Sequence, residues 1–341
     1  MGPSEKHGAR RATGLVRDRC CPRTQARFAI LALEVFVLAG VARAAPPAPA
    51  TFSIVAVDPQ AQEAGVAVAS RFFSVGSVVP WARANAGAVA TQAYCNTSYG
   101  PRGLDLLERG LSAEEVVRVL TRPDADRARR QLGVVAANGD SATYSGPGCT
   151  SWAGGRSGPG YAAQGNILTG ENVVVEMERA FLATKGQPLA ERLYAALKSG
   201  DAAGGDSRGR QSAAIMVVRE KGGYGGFNDR AVDIRVDDHP DPINEIGRIL
   251  ALALVNDFWN RGWTAFTEKR FPEALVWQER CAAKAERHVE MLPEVLYDLA
   301  VIRLANGDKD GAAKALARAI ALNPKLKTSA ENDTDLKKLK P

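Results

Sequence analysis

Thr51-Phe52-Ser53-Ile54-Val55-Ala56-Val57, a turn at Asp58-Pro59, and then Gly65-Val66-Ala67-Val68-Ala69-Ser70 form the stretch on which the fold turns. Small and β-branched residues suit a pleated, buried surface and Asp-Pro punctuates it, so two such runs predict a β-hairpin. A third β-like run, 87–93, leads into a loop holding Asn96, Tyr99, Gly100 and Pro101. Leu104, Leu107 and Leu111 then recur at helical spacing, and Ser112 with Glu115 predicts a capping box for a second helix carrying Val116, Val119 and Leu120.

The same grammar continues outward. Runs 132–137 and 141–144 flank Asn138-Gly139-Asp140, a strong hairpin turn signal. Residues 146–160 are rich in Gly, Ser and Pro, and 161–167 resume β character. Two helices are expected over 172–184 and 189–199, broken at Gly186, followed by strands over 212–218 and 232–236. Strands, two helices, strands, two helices and strands describe a layered α+β fold with an antiparallel core. Beyond about residue 250 only helical texture remains. There Leu296, Leu299, Ala300, Ala312, Leu316, Ala319 and Pro324, with a turn at Asn306-Gly307-Asp308, match tetratricopeptide spacing, although Arg303 stands where that repeat carries an aromatic. Gly262, Phe271 and Ala274 look like a degenerate upstream copy. Two repeats are too few for a self-supporting solenoid, so this tail is expected to pack on the first domain or on a partner. The expected organisation is a leader (1–50), a mixed domain (51–250) and a helical segment (251–341).

Of the 341 residues, 45% are hydrophobic and 24% charged, which excludes collagen-like, rod-like and wholly disordered chains. The net charge of +6 suggests nucleic acid until it is located. Residues 1–50 hold eight Lys/Arg against three acids, leaving 36 basic and 35 acidic residues in the rest of the chain, so no phosphate-binding field is expected. That leader has a basic region to Arg27, an apolar run over 28–40 interrupted by Glu34, and small-residue sites at Ala42-Arg43-Ala44 and Ala48-Pro49-Ala50, the pattern of an export signal. Its apolar run is too short to anchor the chain across a bilayer. Cutting after Ala50 makes Thr51 the first residue. Loss of the leader also removes Cys20 and Cys21, leaving Cys95, Cys149 and Cys281. Either Cys95 pairs with Cys149 and one thiol stays free, or all three are buried thiols.

Past the leader the chain holds only His239 and His288. A Ser-His-Asp triad would need His239, whose setting, Asp237-Asp238-His239-Pro240-Asp241-Pro242, reads more simply as a strand exit and helix cap. No metal or cofactor is expected: Cys and His spacings suggest no zinc, and Gly204–Arg210 lacks phosphate-loop spacing. An amino-terminal threonine needs neither. Its hydroxyl attacks, and its α-amine, with a pKa of roughly 7.7–8.0, takes the proton.

Several segments carry a family resemblance: Thr51-Phe52-Ser53-Ile54-Val55-Ala56, the run from Gly65 to Phe72, Tyr99-Gly100-Pro101-Arg102-Gly103-Leu104, Gln164-Gly165-Asn166-Ile167-Leu168, Gly209-Arg210-Gln211-Ser212-Ala213-Ala214 and Val236-Asp237-Asp238-His239-Pro240-Asp241-Pro242. Together they resemble the bacterial family known as domain of unknown function 1028. That resemblance implies a four-layer αββα sandwich like that of N-terminal nucleophile hydrolases, and amide or peptide-bond hydrolysis. Gly155 stands where the resemblance implies a histidine. On this reading Thr51 is nucleophile and base, and Asn96 and Asn166 donate to an oxyanion. Ser70, Arg71, Tyr99, Arg210 and Gln211 bind substrate, Arg71 by its fit to a carboxylate. The expected partners are a small amide or peptide and, through the tail, another protein or a second copy of the chain. The alternative is a non-catalytic exported binding protein of the same fold.

Overall fold

A computed structural model of the chain describes residues 51–339. The expected leader, with its two cysteines and both cleavage sites, lies outside the described residues. The opening hairpin is present as β1 (Thr51–Asp58) and β2 (Glu63–Ser70), paired antiparallel from Thr51 opposite Ser70 to Asp58 opposite Glu63. After β3 (Pro80–Arg83) and β4 (Gly87–Ala93) come helices α1 (Tyr99–Glu108) and α2 (Ala113–Thr121), then β5 (Arg130–Ala136), β6 (Ser141–Ser145), β7 (Gly154–Gly158) and β8 (Tyr161–Asn166). Helices α3 (Asn172–Ala183) and α4 (Leu189–Ala202) precede β9 (Ser212–Val218) and β10 (Arg230–Val236). The remainder is helical: α5 (Pro242–Thr267), α6 (Phe271–Ala285), α7 (Leu292–Ala305), α8 (Lys309–Leu322) and α9 (Leu326–Asn332). None of the described helices is long and apolar enough to cross a membrane.

The strands form two antiparallel sheets, one ordered β10-β9-β2-β1-β8-β7 and the other β3-β4-β5-β6. Side chains alternate between faces along a strand, and β1 is apolar on both. Phe52, Ile54 and Ala56 pack with Val173, Met177 and Phe181 of α3 and Leu193 and Leu197 of α4. Val55 and Val57, with Val66, Val68 and Ala214, meet Ala88, Ala90 and Val135 of the second sheet. That sheet turns Val89, Leu132 and Val134 away, onto Leu104 and Leu107 of α1 and Val116 and Leu120 of α2. Each such fully buried aliphatic contributes about 1.5–3 kcal/mol. The N-terminal part is thus a mixed structure with helices packed on antiparallel sheets, and the C-terminal part is helical.

Most local signals are realised. The Ser112 capping box forms with both of its bonds, and Gly139 takes φ 91° in the expected hairpin turn. Two strands escape the sequence pattern. β3 has four residues and starts on Pro80, which a strand tolerates at its first position, and β7, Gly-Gly-Arg-Ser-Gly, has no β-branched residue; both are edge strands. The three cysteines are free. The Cys95 thiol donates to the Thr91 carbonyl and the Cys149 thiol to that of Arg130, so no disulfide joins them; of the three thiols expected to be buried, Cys281 is, and the other two are half-buried.

Helix α5 runs unbroken through residue 250 and packs on β9, β10 and α6. It is locked to the large sheet by a buried square of charge. Glu63 of β2 accepts from Arg219 at 2.8 Å and from Arg261, while Asp257 accepts from Arg219 at 3.0 Å and Arg261 at 2.9 Å. Arg261 also lies 4.5 Å over the ring of Trp277 in α6. In the tail, Asp308 caps α8 by accepting from the Gly311 amide after Gly307 at φ 86°. Arg303 uses the place of the missing aromatic to reach Glu279 of α6 at 3.0 Å.

The square is balanced, two anions against two cations. Removing one anion strands a buried guanidinium, so Glu63→Gln is expected to lower stability by about 3–5 kcal/mol. The midpoint of urea unfolding followed by far-UV circular dichroism checks this, and a midpoint equal to wild type would contradict it.

Candidate active site at the heads of the strands

Strand register brings four polar side chains into one row. Ser212 pairs with Ser70, Ser70 with Thr51, and Thr51 with Asn166. Neighbouring strands are about 4.8 Å apart, so residues in register point the same way and lie within reach of one another. Here they point toward the second sheet, where the Thr51 hydroxyl donates to Ser70 Oγ at 3.2 Å. Ser212 is held from behind, donating to the Phe72 carbonyl at 2.5 Å and accepting from the Val75 amide at 3.1 Å.

One pleat further in, the same face carries Ser53 and Gln164, opposite Gln92 of β4 and Gln131 of β5. All four are fully buried, and so are Thr51 and Asn166. Ser53 donates to Gln92 Oε1 at 2.6 Å and accepts from Gln164 Nε2 at 2.6 Å. Gln92 Nε2 donates to Gln131 Oε1 at 2.8 Å and to the Thr51 carbonyl at 3.3 Å. Gln131 Oε1 also accepts from Asn166 Nδ2 at 2.9 Å, and its amide donates to Ser145 Oγ and the Gly165 carbonyl, both at 2.7 Å. Thr51 and Asn166 are therefore positioned by an amide network spanning both sheets. Such networks rigidify when satisfied. One acceptor, Gln164 Oε1, has no partner among the described residues. It sits 2.1 Å from where a β-carbon of residue 133 would be, which is why Gly133 has none.

Beside the row opens a cleft of about 350 Å³ whose lining includes Ser70, Ser212, Phe52, Asp206, Arg210 and Ile243. A second groove of about 370 Å³ adjoins it through Arg210 and Pro240 and is lined by Arg71, Gln211, Asp238 and His239. Asp206, buried, organises this rim: it accepts from the Arg71 amide at 2.7 Å, and from the Arg208 amide at 2.9 Å and its guanidinium at 3.1 Å. The Arg71 guanidinium donates to the Arg208 carbonyl at 2.5 Å and is otherwise exposed. Arg210 clasps both oxygens of Asp201 at 2.7 and 2.8 Å, and that bond holds its charge firmly. Gln211 donates to Asp238 at 3.2 Å, and His239 Nδ1 accepts the Asp241 amide at 3.0 Å, a turn contact.

Of the residues singled out from sequence, Thr51, Ser70 and Asn166 share the row, and Arg71, Arg210 and Gln211 line the adjoining cleft and groove. Asn96 and Tyr99 stand apart, at the entry to α1. The Asn96 side chain accepts from the Ser98 amide at 3.1 Å and hydroxyl at 2.7 Å. Tyr99 is buried in the outer helical layer with its hydroxyl donated to Asp124 at 2.6 Å; burial, then that carboxylate, push its pKa far up. Arg130 and this hydroxyl hold the Asp124 carboxyl well below the usual range. Cysteine chemistry is disfavoured, since burial pushes the Cys95 thiol up to about 11 and Cys281 to about 12. Among the described residues no three His, Cys, Asp or Glu side chains gather as metal ligands. Sequence reading missed Ser53, Gln92, Gln131 and Gln164. Each is polar within a largely apolar strand, but Thr51, Thr91, Arg130 and Asn166 are polar in the same strands, so the strand pattern alone does not single them out.

A family model described as "Family of unknown function (DUF1028)" matches residues 51–246, more than half of the chain. A tetratricopeptide repeat model matches residues 293–326. Among solved structures, a crystal structure of a Silicibacter pomeroyi protein that carries the same family model is similar at 32% identity, with a TM-score of 0.55, over 60% of this chain and 89% of that one. No curated protein matches the chain.

Gly133→Ala forces a methyl group against Gln164 and is expected to cost about 1–3 kcal/mol through overpacking. Thermal unfolding measures it, and an unchanged midpoint would show that the network does not depend on that contact.

Proposed function

Because the chain belongs to the DUF1028 family, whose matched stretch opens on Thr51, we propose that it is an exported hydrolase of a small amide or peptide that uses Thr51, freed at its amine, as nucleophile and base. The layering of helices on two packed sheets, with Thr51 at the head of a central strand, supports reading the fold as a four-layer αββα sandwich of the N-terminal nucleophile type. The observation that carries the proposal is the Thr51 hydroxyl, bonded to Ser70 at 3.2 Å and flanked by Asn166. The basic and apolar composition of residues 1–50 supports export and removal of the leader.

In the proposed reaction the neutral α-amine takes the hydroxyl proton as Thr51 Oγ1 attacks the substrate carbonyl carbon. Ser70 bridges hydroxyl and amine. The C–N bond then breaks, the amine leaves with the proton, and water hydrolyses the ester on Thr51 by the same route reversed. The oxyanion falls to the second N–H of the Asn166 amide, whose first is held by Gln131, rather than to Asn96, which stands apart from the row at the entry to α1. Arg71 at the groove is the cation for a substrate carboxylate. A second reading, an exported docking protein of this fold, is favoured by the tetratricopeptide match in the tail, which suggests a protein partner.

Two measurements decide between them. Intact-mass analysis of the native protein is expected to find Thr51 first. Against a panel of amides, Thr51→Ala is expected to abolish turnover, and Asn166→Ala to cut kcat about 10²–10³-fold, as loss of one oxyanion donor does. Wild-type turnover should rise as pH passes roughly 7–8, where the α-amine becomes neutral. Equal turnover by wild type and Thr51→Ala, or a retained leader stub, ends the catalytic reading in favour of docking.

A further inference from the structure

A cavity so far unused, of about 600 Å³, lies away from the strand heads, between the β9–β10 connection and the helical tail. Its walls are aromatic. Tyr224 is 90% exposed on the glycine-rich connection, and Trp259 and Trp263 stand one helical turn apart on α5. The connection is held over α5 by Asn260, whose amide donates to the Gly223 carbonyl at 2.9 Å and whose oxygen accepts from the Gly225 amide at 3.2 Å. The cavity is thus a built space.

Two charged residues other than Asp298 line it, and each is paired. Asp257 belongs to the charge square, and Arg230, on the opposite wall, bonds to Asp233 at 2.6 Å. Asp298 of α7 is different. Its one hydrogen bond among the described residues comes from a neutral donor, Trp259 Nε1 at 2.6 Å. Burial pushes its carboxyl up to about 6, and the negative charges of Asp333 and Glu294 add to that push. At neutral pH it is therefore an anion in a negative field, weakly solvated, at the N–H edge of the Trp259 indole.

We propose that this cavity binds an aliphatic ammonium ion. A primary ammonium carries three donors for the Asp298 carboxylate, its methylenes fill the apolar lining, and its charge gains from the indole and phenol faces. Neutral alcohols lack the charge and carboxylates would be repelled. The same chemistry is presented by a free alkylamine and by a lysine side chain of a peptide. This inference does not rest on Thr51 or on catalysis.

The test is calorimetric titration of the whole protein at pH 7.5 with n-butylammonium, n-butanol and the capped lysine N-acetyl-lysine-N-methylamide, with indole fluorescence as a second readout. The expected result is saturable binding of the ammonium probes, about 10-fold or more tighter than butanol, with a matching loss in Asp298→Asn. Tighter binding of the capped lysine than of butylammonium identifies a peptide as the source, and the reverse order a free amine; both orders uphold the site. Equal binding of butanol and butylammonium, or no saturation by about 10 mM ammonium, overturns it. Should Asp298→Asn fail to fold, Trp263→Leu, at a half-exposed position, is expected to weaken the ammonium ion more than butanol, and equal weakening overturns the site.

Discussion

Two glutamine side chains buried where the two sheets meet, Gln92 and Gln131, fix how those sheets lie on each other. Apolar side chains in the same interface are interchangeable within limits of volume, and a slip of one sheet would cost them little. The amides of Gln92 and Gln131 allow no such slip: Gln92 bonds across to Ser53 and the Thr51 carbonyl, Gln131 to Asn166 and the Gly165 carbonyl, and a lost partner in that dry layer costs about 1–3 kcal/mol. Because side chains in a strand repeat every second residue, fixing Ser53 against Gln164 also fixes Thr51 against Asn166 one pleat away. The row at the strand heads follows from the register the amides impose.

Under the proposed reading, this arrangement separates positioning from recognition. The network behind Thr51 and Asn166 is saturated save for one acceptor, so these side chains have little freedom to relax around a developing charge, which is the condition under which preorganised donors act most strongly. The rim of the cleft is the reverse. There Arg71 is anchored to one carbonyl and faces solvent, so it can adapt to what enters. A rigid head beside an adaptable rim is consistent with one fixed chemistry and a specificity set by the rim.

The sequence revealed the elements whose causes are local. The Thr51–Ser70 hairpin, the Ser112–Glu115 box and the Asn306-Gly307-Asp308 turn each need only a few neighbouring residues, and all are present. β3 and β7 were hidden because edge strands are held by their neighbours' hydrogen bonds rather than by their own side chains. The site divides along the same line. Ser70, Arg71, Arg210 and Gln211 come together since β2 ends where β9 begins, which antiparallel pairing makes predictable. Asn96 and Tyr99 follow β4 in the chain, but β4 belongs to the other sheet, and the chain there turns outward into α1. No short-range signal distinguishes those two destinations. The four residues of the amide network were invisible for a further reason: each is one of several polar residues in its own strand, and only register shows that these four coincide.

The charge square extends the argument to the tail. Had the helical segment been joined only by its chain connection, α5 could have swung free of β9 and β10. With Glu63 and Asp257 each binding both arginines, the angle of α5 is set at its midpoint, and Trp259 and Trp263, immediately beyond Asp257, inherit that angle. Asp298 reaches Trp259 only because α7 stacks on α6, which Arg261 in turn contacts through Trp277. The same ion square that stabilises the body of the protein therefore sets the shape of the aromatic cavity. A change at Glu63 should be felt there before it is felt at Thr51, since β2 begins at Glu63 and ends at Ser70, with six residues between the two effects.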